Sequence, residues 1–266
     1  MKKLRTLLTS IVVLLCSVSV SAYGFIVKDG NYKLCYNITS AKDRTVVFAK
    51  CIDPQFSIDK YSITIPRSVV FNGITYSVTE IGSFAFENAY LTNVVIPNSV
   101  TEIRYGAFID CWQLESIVIP SSVTEIGPSA FKGCDRLKSV VIPNSVKIID
   151  MAAFEGCRRL LYVVSESKEP PTLEMDAYNN TSSKAVLFVP AGSKKAYKKA
   201  LKKSYAPGAK NKLKEIVEYD NAEALTRMVD DIITKANIAE EIKAIRRTKE
   251  NAKAYKKALM KETKGK

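Results

Sequence analysis

The sequence contains no histidine among its 266 residues. This absence excludes Ser-His-Asp and Cys-His catalysis, histidine ligands for zinc or haem, and histidine-based pH sensing. The sequence also lacks a glycine-rich phosphate loop, a calcium-binding loop and the cysteine spacing of a zinc site. Few common enzyme mechanisms remain, so the sequence predicts a protein that is not an enzyme and that binds no metal ion or cofactor.

The chain is basic, but its charge is unevenly distributed. Hydrophobic residues make up 47% of the sequence, which is enough for a buried core. Residues 23–190 contain 16 Lys/Arg against 17 Asp/Glu, whereas residues 191–266 contain 21 against 10. Lysines in a helical pattern are typical of a solvated face, and no aromatic residues are interleaved with them as in a nucleic-acid site. We therefore expect no nucleic-acid partner.

The N-terminus has the pattern of an export signal. Lys2, Lys3 and Arg5 precede an apolar run, residues 7–20, which is shorter than the roughly 20 residues that a membrane-spanning helix needs. Small residues follow and end at Ala22, as a signal peptidase requires. We predict a signal peptide over residues 1–22, cleavage after Ala22, and a protein that is secreted, periplasmic or located at the cell surface.

A unit of 23 residues repeats through the centre of the chain, most plainly at 91–109, 114–132 and 137–155. Three sets of equivalent residues recur at this spacing: Pro97, Pro120 and Pro143; Phe108, Phe131 and Phe154; Cys111, Cys134 and Cys157. A unit this short cannot enclose its own apolar side chains, whereas stacked units share one core. The sequence predicts a β-rich solenoid with parallel strands, in which the phenylalanines stack over one another.

Weaker copies extend the array to about six turns over residues 61–190. An insertion of nine residues in the first turn contains Asn72-Gly73 between β-forming residues, which predicts a hairpin. The open ends of a solenoid need covers, so we expect a capping hairpin within residues 23–60 and a C-terminal cap over 191–220. Within the C-terminal cap we predict a short helix capped by Ser193 and a closing strand at 215–219.

The helical spacing of apolar residues in 221–266, among many lysines, predicts a basic amphipathic helical tail. The tail packs on the coil or on a partner helix in one hypothesis, and its lysines contact a membrane surface in the other. Two pairs of adjacent carboxylates, Asp230-Asp231 and Glu240-Glu241, lie on different sides of such a helix. We interpret them as solvated charges and not as an acid-base pair.

The repeat pattern, Leu-x-x-Val-x-Ile-Pro-x-Ser-Val-x-x-Ile-Gly-x-x-Ala-Phe-x-x-Cys, resembles the BspA-type leucine-rich repeat of bacterial surface proteins. The resemblance runs from about Ile63 to Pro190. It implies a leucine-rich repeat coil in a secreted or surface-exposed protein that binds other proteins or cells.

The cysteines of the array and of the N-terminal cap have different interpretations. Cys111, Cys134 and Cys157 have parallel Cβ directions in a stacked coil, which does not suit a disulfide, so we interpret them as small buried thiols. Cys35 and Cys51 lie in the predicted capping hairpin. Two interpretations of this pair stay open. One is a disulfide between Cys35 and Cys51, which the oxidising compartment of an exported protein permits, and the other is a pair of free thiols.

One stripe of the coil is a candidate binding surface. On each strand, the position before the last inward-facing residue points outward. This position is occupied in successive turns by Thr64, Val95, Val118, Val141, Val164 and Phe188, and a companion row by Asn93, Ser116, Ser139 and Tyr162. A row of β-branched side chains facing water reflects strand propensity alone or a contact surface for a protein or for the tail.

Two functions from different classes follow. The first is an exported, non-catalytic protein whose coil presents an extended surface to a protein or a glycan, in the manner of an adhesin. The alternative is an exported hydrolase that acts on polysaccharide with carboxylates alone, for which a carboxylate pair above a groove is required.

Overall fold

The computed structural model describes residues 24–29, 32–52, 61–207, 209, 213 and 215–233. The predicted signal peptide and the tail beyond residue 233 lie outside these residues. The chain divides into two compact units, Met1–Tyr219 and Asp220–Lys266.

The described residues of the first unit form short strands and one helix. In chain order they are β1 (Phe25–Asp29), β2 (Tyr32–Ser40), β3 (Thr45–Ile52), β4 (Tyr61–Thr64), β5 (Ser68–Phe71), β6 (Ile74–Ile81), β7 (Leu91–Val95), β8 (Glu102–Ile103), β9 (Ser116–Val118), β10 (Glu125–Ile126), β11 (Ser139–Ile142), β12 (Ile148–Ile149), β13 (Tyr162–Ser165), β14 (Thr172–Leu173), β15 (Val186–Pro190), α1 (Lys194–Ser204) and β16 (Glu215–Tyr219).

These strands form two sheets that share one core. The front sheet is wholly parallel and has the order β16-β15-β13-β11-β9-β7-β4. The back sheet has the order β1-β2-β3-β6-β8-β10-β12-β14, with β5 paired to β6. Because five successive turns, from β4 to β14, each give one strand to each sheet, equivalent residues of these turns lie side by side. The predicted solenoid with parallel strands is confirmed.

The core follows from the repeat pattern. In the turn that starts at Leu114, six apolar side chains are buried: Leu114, Ile117, Ile119, Val123, Ile126 and Phe131. Pro120 ends the front strand, where a residue without an N–H group removes no bond from the sheet. Val123 then begins the path to the back sheet, because its N–H donates to the carbonyl oxygen of Pro120 at 3.0 Å.

The phenylalanines stack as predicted, and the stack is longer than the three clear repeats indicate. The ring centroids of Phe86, Phe108, Phe131 and Phe154 lie 5.0, 5.1 and 5.2 Å apart in sequence order. Tyr178 continues the stack at 5.2 Å from Phe154. At the other end, Phe48 of β3 lies 4.9 Å from Phe86 and covers it. The N-terminal cap therefore seals the coil with a ring of its own.

Both predicted hairpins are present. Strands β2 and β3 pair antiparallel, β1 adds a further antiparallel strand, and β3 joins the coil by pairing parallel to β6. Strands β5 and β6 are joined at Asn72 and Gly73, whose φ angles of 50° and 74° are those of a tight hairpin turn. Asparagine and glycine tolerate this left-handed conformation, which explains the sequence signal.

The C-terminal helix is present, but the prediction for its cap was wrong. The Ser193 side chain makes no capping hydrogen bond to α1. Instead, Oε1 of Glu218, on β16, accepts a hydrogen bond from the backbone N–H of Lys194 at 2.7 Å. Ser193 is buried and has helical φ and ψ values, so its hydroxyl is not placed for this role. The helix buries Tyr197 and Leu201, as its apolar spacing predicts.

Within the second unit, residues 222–233 are helical. Oδ1 of Asn221 accepts a hydrogen bond from the backbone N–H of Ala224 at 2.9 Å and so caps the helix. Asp230 and Asp231 are both exposed, whereas the pair at 240–241 lies outside the described residues. Over the part of the chain that the structure describes, no helix has the length and apolar character to cross a bilayer.

Candidate binding surfaces

The outer surface of the front sheet carries a row of exposed valines. Val95, Val118 and Val141 are paired in register on β7, β9 and β11, so their side chains are nearest neighbours. Their exposed fractions are 48%, 73% and 38%. We name these three residues the valine row. Isolated exposed apolar residues are common on any protein, but three adjacent ones form a continuous apolar strip.

The predicted row continues in register to Val164 and Phe188, but neither residue faces water. Val164 is 4% exposed and Phe188 is 1% exposed, so the expectation that they belong to an exposed surface was wrong. Phe188 is on β15, which pairs with β13 on one side and β16 on the other. The ring of Tyr162 packs against that of Phe188, with centroids 6.4 Å apart. The open part of the surface ends at Val141.

Small polar side chains flank the valine row. Asn93, Ser116 and Ser139 occupy one register position on β7, β9 and β11, and Ser116 is exposed. Beyond them, Nζ of Lys138 and Oε2 of Glu115 form an ion pair at 3.1 Å. Tyr162 occupies the same register position on β13 and packs on Phe188, as described above. The open surface therefore combines an apolar strip with short hydrogen-bonding side chains and a neutralised charge pair.

No disulfide joins Cys35 and Cys51, although the two residues lie on adjacent strands. Cys35 pairs with Lys50, and Cys51 pairs with Leu34. Since consecutive residues of a strand point to opposite faces, the two cysteine side chains lie on opposite sides of the hairpin. The disulfide alternative is wrong because of this one-residue offset in register. Burial raises the pKa of the Cys35 thiol to about 11.

The three cysteines of the array are buried and donate hydrogen bonds. Each Sγ–H donates to the backbone carbonyl of the phenylalanine in the preceding turn: Cys111 to Phe86 at 2.9 Å, and both Cys134 to Phe108 and Cys157 to Phe131 at 3.3 Å. Burial raises the pKa of Cys111 to about 12 and raises those of Cys134 and Cys157 as well. A thiol with so high a pKa is a poor nucleophile at neutral pH. These cysteines have a structural role, as the sequence predicts.

A groove that the sequence analysis did not identify lies along the corner that follows the phenylalanine stack. It has a volume of about 430 Å³ and runs across successive turns of the coil. Its lining residues are Asp110, Trp112, Lys132, Gly133, Asp135, Glu155, Gly156, Arg158 and Asn180. Trp112 is the only tryptophan of the chain and is 39% exposed. The single tryptophan, placed directly after the repeat cysteine, is the signal that could have indicated this groove.

The charged side chains of this groove are paired across neighbouring turns. Nζ of Lys132 lies 2.8 Å from Oε2 of Glu155, and Nη1 of Arg158 lies 3.7 Å from Oδ2 of Asp135. In the described parts of the chain, no group of three or more Cys, Asp or Glu side chains is arranged to hold a metal ion. The groove thus offers alternating hydrogen-bond donors and acceptors beside one aromatic ring.

Comparison with known proteins agrees with the repeat analysis. A family model for the BspA-type leucine-rich repeat region matches residues 57–185 with six copies. A comparison with curated protein sequences gives no match.

Several solved structures resemble the chain. A leucine-rich repeat protein from Bacteroides ovatus is 26% identical, with a TM-score of 0.48 over 62% of this chain and 47% of that one. A leucine-rich cell surface protein from Faecalibacterium prausnitzii is 29% identical, with a TM-score of 0.46 over 64% and 46%. A leucine-rich repeat protein from Bacteroides capillosus is 32% identical, with a TM-score of 0.45 over 53% and 98%. The chain spans just under half the length of the first two.

The matched residues 57–185 contain five complete turns of the coil, and β15 begins a sixth at Val186. Each complete turn contributes one strand to each sheet and one aromatic ring to the stack, and a proline ends the front strand in the first four of them. Residues 57–185 are therefore a BspA-type leucine-rich repeat region.

Proposed function

We propose that this chain is an exported, non-catalytic binding protein that contacts a partner protein through the outer surface of its front sheet. Export is supported by the N-terminal pattern of basic residues, apolar run and small residues, and by the family, whose members are generally secreted or surface proteins of bacteria. Leucine-rich repeats are typical of binding proteins and not of enzymes.

The observation that carries the proposal is the valine row. Val118 is 73% exposed in the middle of a parallel sheet, flanked by Val95 and Val141 in register. An apolar strip in water is costly unless a partner covers it during function. The surrounding side chains are small and polar, which leaves the strip accessible to the flat surface of another protein.

The alternative of a carboxylate-dependent hydrolase has no observation in its favour within the described residues. It requires a carboxylate pair above a groove. In the groove near Trp112, Glu155 pairs with Lys132 and Asp135 pairs with Arg158. The hydrolase therefore stays a hypothesis from the sequence.

A photocrosslinking amino acid at position 118 tests the proposed surface. In the intact chain incubated with envelope extract and host matrix, we expect position 118 to crosslink a discrete partner protein. Position 175 is the matched control, because Met175 is 53% exposed and apolar but follows the back sheet. Crosslinking to the same proteins from both positions would contradict the proposal.

Affinity for the captured partner gives the second measurement. Replacing Val118 and Val141 together by threonine keeps the β-branched shape and removes apolar surface. We expect the dissociation constant to rise about tenfold, with the folded structure preserved. An unchanged affinity would show that the exposed valines reflect strand propensity alone.

A further inference from the structure

The groove beside Trp112 differs in chemistry from the valine row and lies at a corner of the coil and not on the front sheet. The floor of the groove lies at a repeat position where two consecutive turns have glycine and therefore no side chain. Gly133 and Gly156 occupy this repeat position, with φ angles of 74° and 77°. The equivalent position carries asparagine or aspartate in the other turns, at Asn88, Asp110 and Asn180. Two glycines side by side therefore open a channel that the other turns fill.

The ends and walls of the channel carry polar groups of both signs. The carboxylate of Asp110 reaches over Gly133, where an added Cβ would collide with its Oδ1. Asn180 lines the channel in the turn after Gly156. The two ion pairs, Lys132–Glu155 and Asp135–Arg158, line it between these ends. Three carboxylates against two cations leave no excess positive charge for an anionic ligand.

Trp112 supplies an apolar surface at this polar channel. Its ring lies 5.1 Å from that of Tyr90, with an angle of 70° between the planes, so Tyr90 supports it from the preceding turn. A supported ring that remains 39% exposed has a free surface for stacking. An exposed aromatic ring stacks on apolar C–H faces of a ligand, and the carboxylate, amide and guanidinium groups beside it hydrogen-bond hydroxyl groups. The channel therefore matches a ligand that has apolar C–H faces and many hydroxyl groups at its edge.

The channel is also linear. Asp110, Gly133, Gly156 and Asn180 belong to successive turns, and the core rings of these turns are spaced by 5.1, 5.2 and 5.2 Å. A chain molecule laid along the turns would meet a similar set of groups at each step. From these observations we propose that the groove formed by Trp112, Gly133, Gly156 and their paired charged neighbours binds a neutral oligosaccharide, at a site separate from the valine row.

Trp112 makes the proposal directly measurable, because it is the sole tryptophan and reports alone on its surroundings. The intact chain is titrated with cellohexaose, laminarihexaose, xylohexaose and mannohexaose, and with hexagalacturonate as an anionic probe. We expect at least one neutral probe to shift the tryptophan emission and to protect it from iodide quenching. No response to any neutral probe at about 10 mM, roughly ten times the dissociation constant of a weak 1 mM complex, would overturn the proposal. A response to hexagalacturonate alone would overturn it as well.

Two variants locate the binding by calorimetry. Gly156→Asn places in the floor a residue that this chain already uses at the same repeat position, where Asn88 and Asn180 also have positive φ angles, of 56° and 53°. A Cβ at position 156 has ordinary contact distances of 3.5 and 3.7 Å to Gly133. We expect this variant to fold, with a somewhat lower unfolding temperature because its φ is positive, and to bind the active probe at least about tenfold more weakly. Trp112→Ala should weaken binding by a similar factor.

Tyr105→Ala is the matched control, because Tyr105 is an aromatic residue of similar exposure, 44%, outside the groove. It should leave the affinity for the probe unchanged. Equal affinity of the parent and the Gly156→Asn variant would refute the groove as the site. The Val118 and Val141 threonine variant should bind the probe normally, so failure of this proposal and failure of the proposed protein surface are distinguishable.

Discussion

At the scale of single residues, the buried thiols predict how stability depends on pH. Burial raises the pKa of Cys111 from 9.0 to about 12, and Cys134 and Cys157 shift in the same direction. Between these values the native thiol keeps its proton and the unfolded one loses it. The buried thiols should therefore contribute fully to the free energy of unfolding below pH 9. Above pH 9 the free energy of unfolding should fall by up to ~1.4 kcal/mol per pH unit for each thiol. Urea denaturation between pH 8 and 11 measures the slope.

The variant Cys111→Ala isolates this effect from other groups that titrate at high pH. Its slope should be shallower than that of the parent by the share of one thiol, whatever the cost of the substitution at pH 8. The control Thr124→Ser changes an exposed side chain directly before β10 and should keep the parent's slope. Parallel slopes for Cys111→Ala and the parent would show that the Cys111 thiol titrates normally in the folded protein.

At the scale of elements, helix α1 depends on a carboxylate that is distant in sequence. Oε1 of Glu218 accepts the N–H of Lys194 at 2.7 Å, and a negative charge also suits the positive end of the helix dipole. We expect Glu218→Ala to lower the free energy of unfolding by about 1 kcal/mol. Ser193→Ala should cost less, because the Ser193 hydroxyl caps nothing. Urea denaturation of both variants gives the comparison, and a larger loss for Ser193→Ala would contradict this cap.

The same helix shows what sequence reasoning can and cannot reach. Its position and its apolar face follow from the local spacing of Tyr197 and Leu201, because a helix repeats every 3.6 residues. Its cap comes from β16, 24 residues further on, and no local pattern encodes that contact. The Cys35 and Cys51 disulfide failed for a related reason, since a one-residue offset in strand register reverses the side of a side chain.

The phenylalanine stack shows the opposite case. Phe108, Phe131 and Phe154 were predictable because the 23-residue period is almost exact and stacking places equal positions together. Phe48 was not predictable, since it lies in a strand without the repeat pattern and reaches the stack only through the pairing of β3 with β6. The prediction that Val164 and Phe188 are exposed failed likewise, because strand register alone does not determine which groups cover a side chain.

At the scale of the whole molecule, the coil is a one-dimensional stack in which each turn contacts only its neighbours. The stability of such a stack is close to the sum of the turns and the interfaces between them. Each complete turn of this coil gives one aromatic ring and one strand per sheet, and these groups meet their equivalents in the next turn. An added turn that keeps the register thus adds an interface without disturbing either cap.

A precise duplication tests this dependence on register. Repeating residues 114–136 once more before Leu137 inserts a whole turn, and the free energy of unfolding should rise, with Tm higher by roughly 2–4 °C for each kcal/mol gained. Repeating only residues 114–125 inserts half a turn. This change displaces every later phenylalanine from the stack and moves front-sheet residues to the back sheet, so it should abolish cooperative unfolding. Thermal melts followed by circular dichroism separate the two. Equal stability of both insertions would mean that the coil is held together by something other than matched, stacked turns.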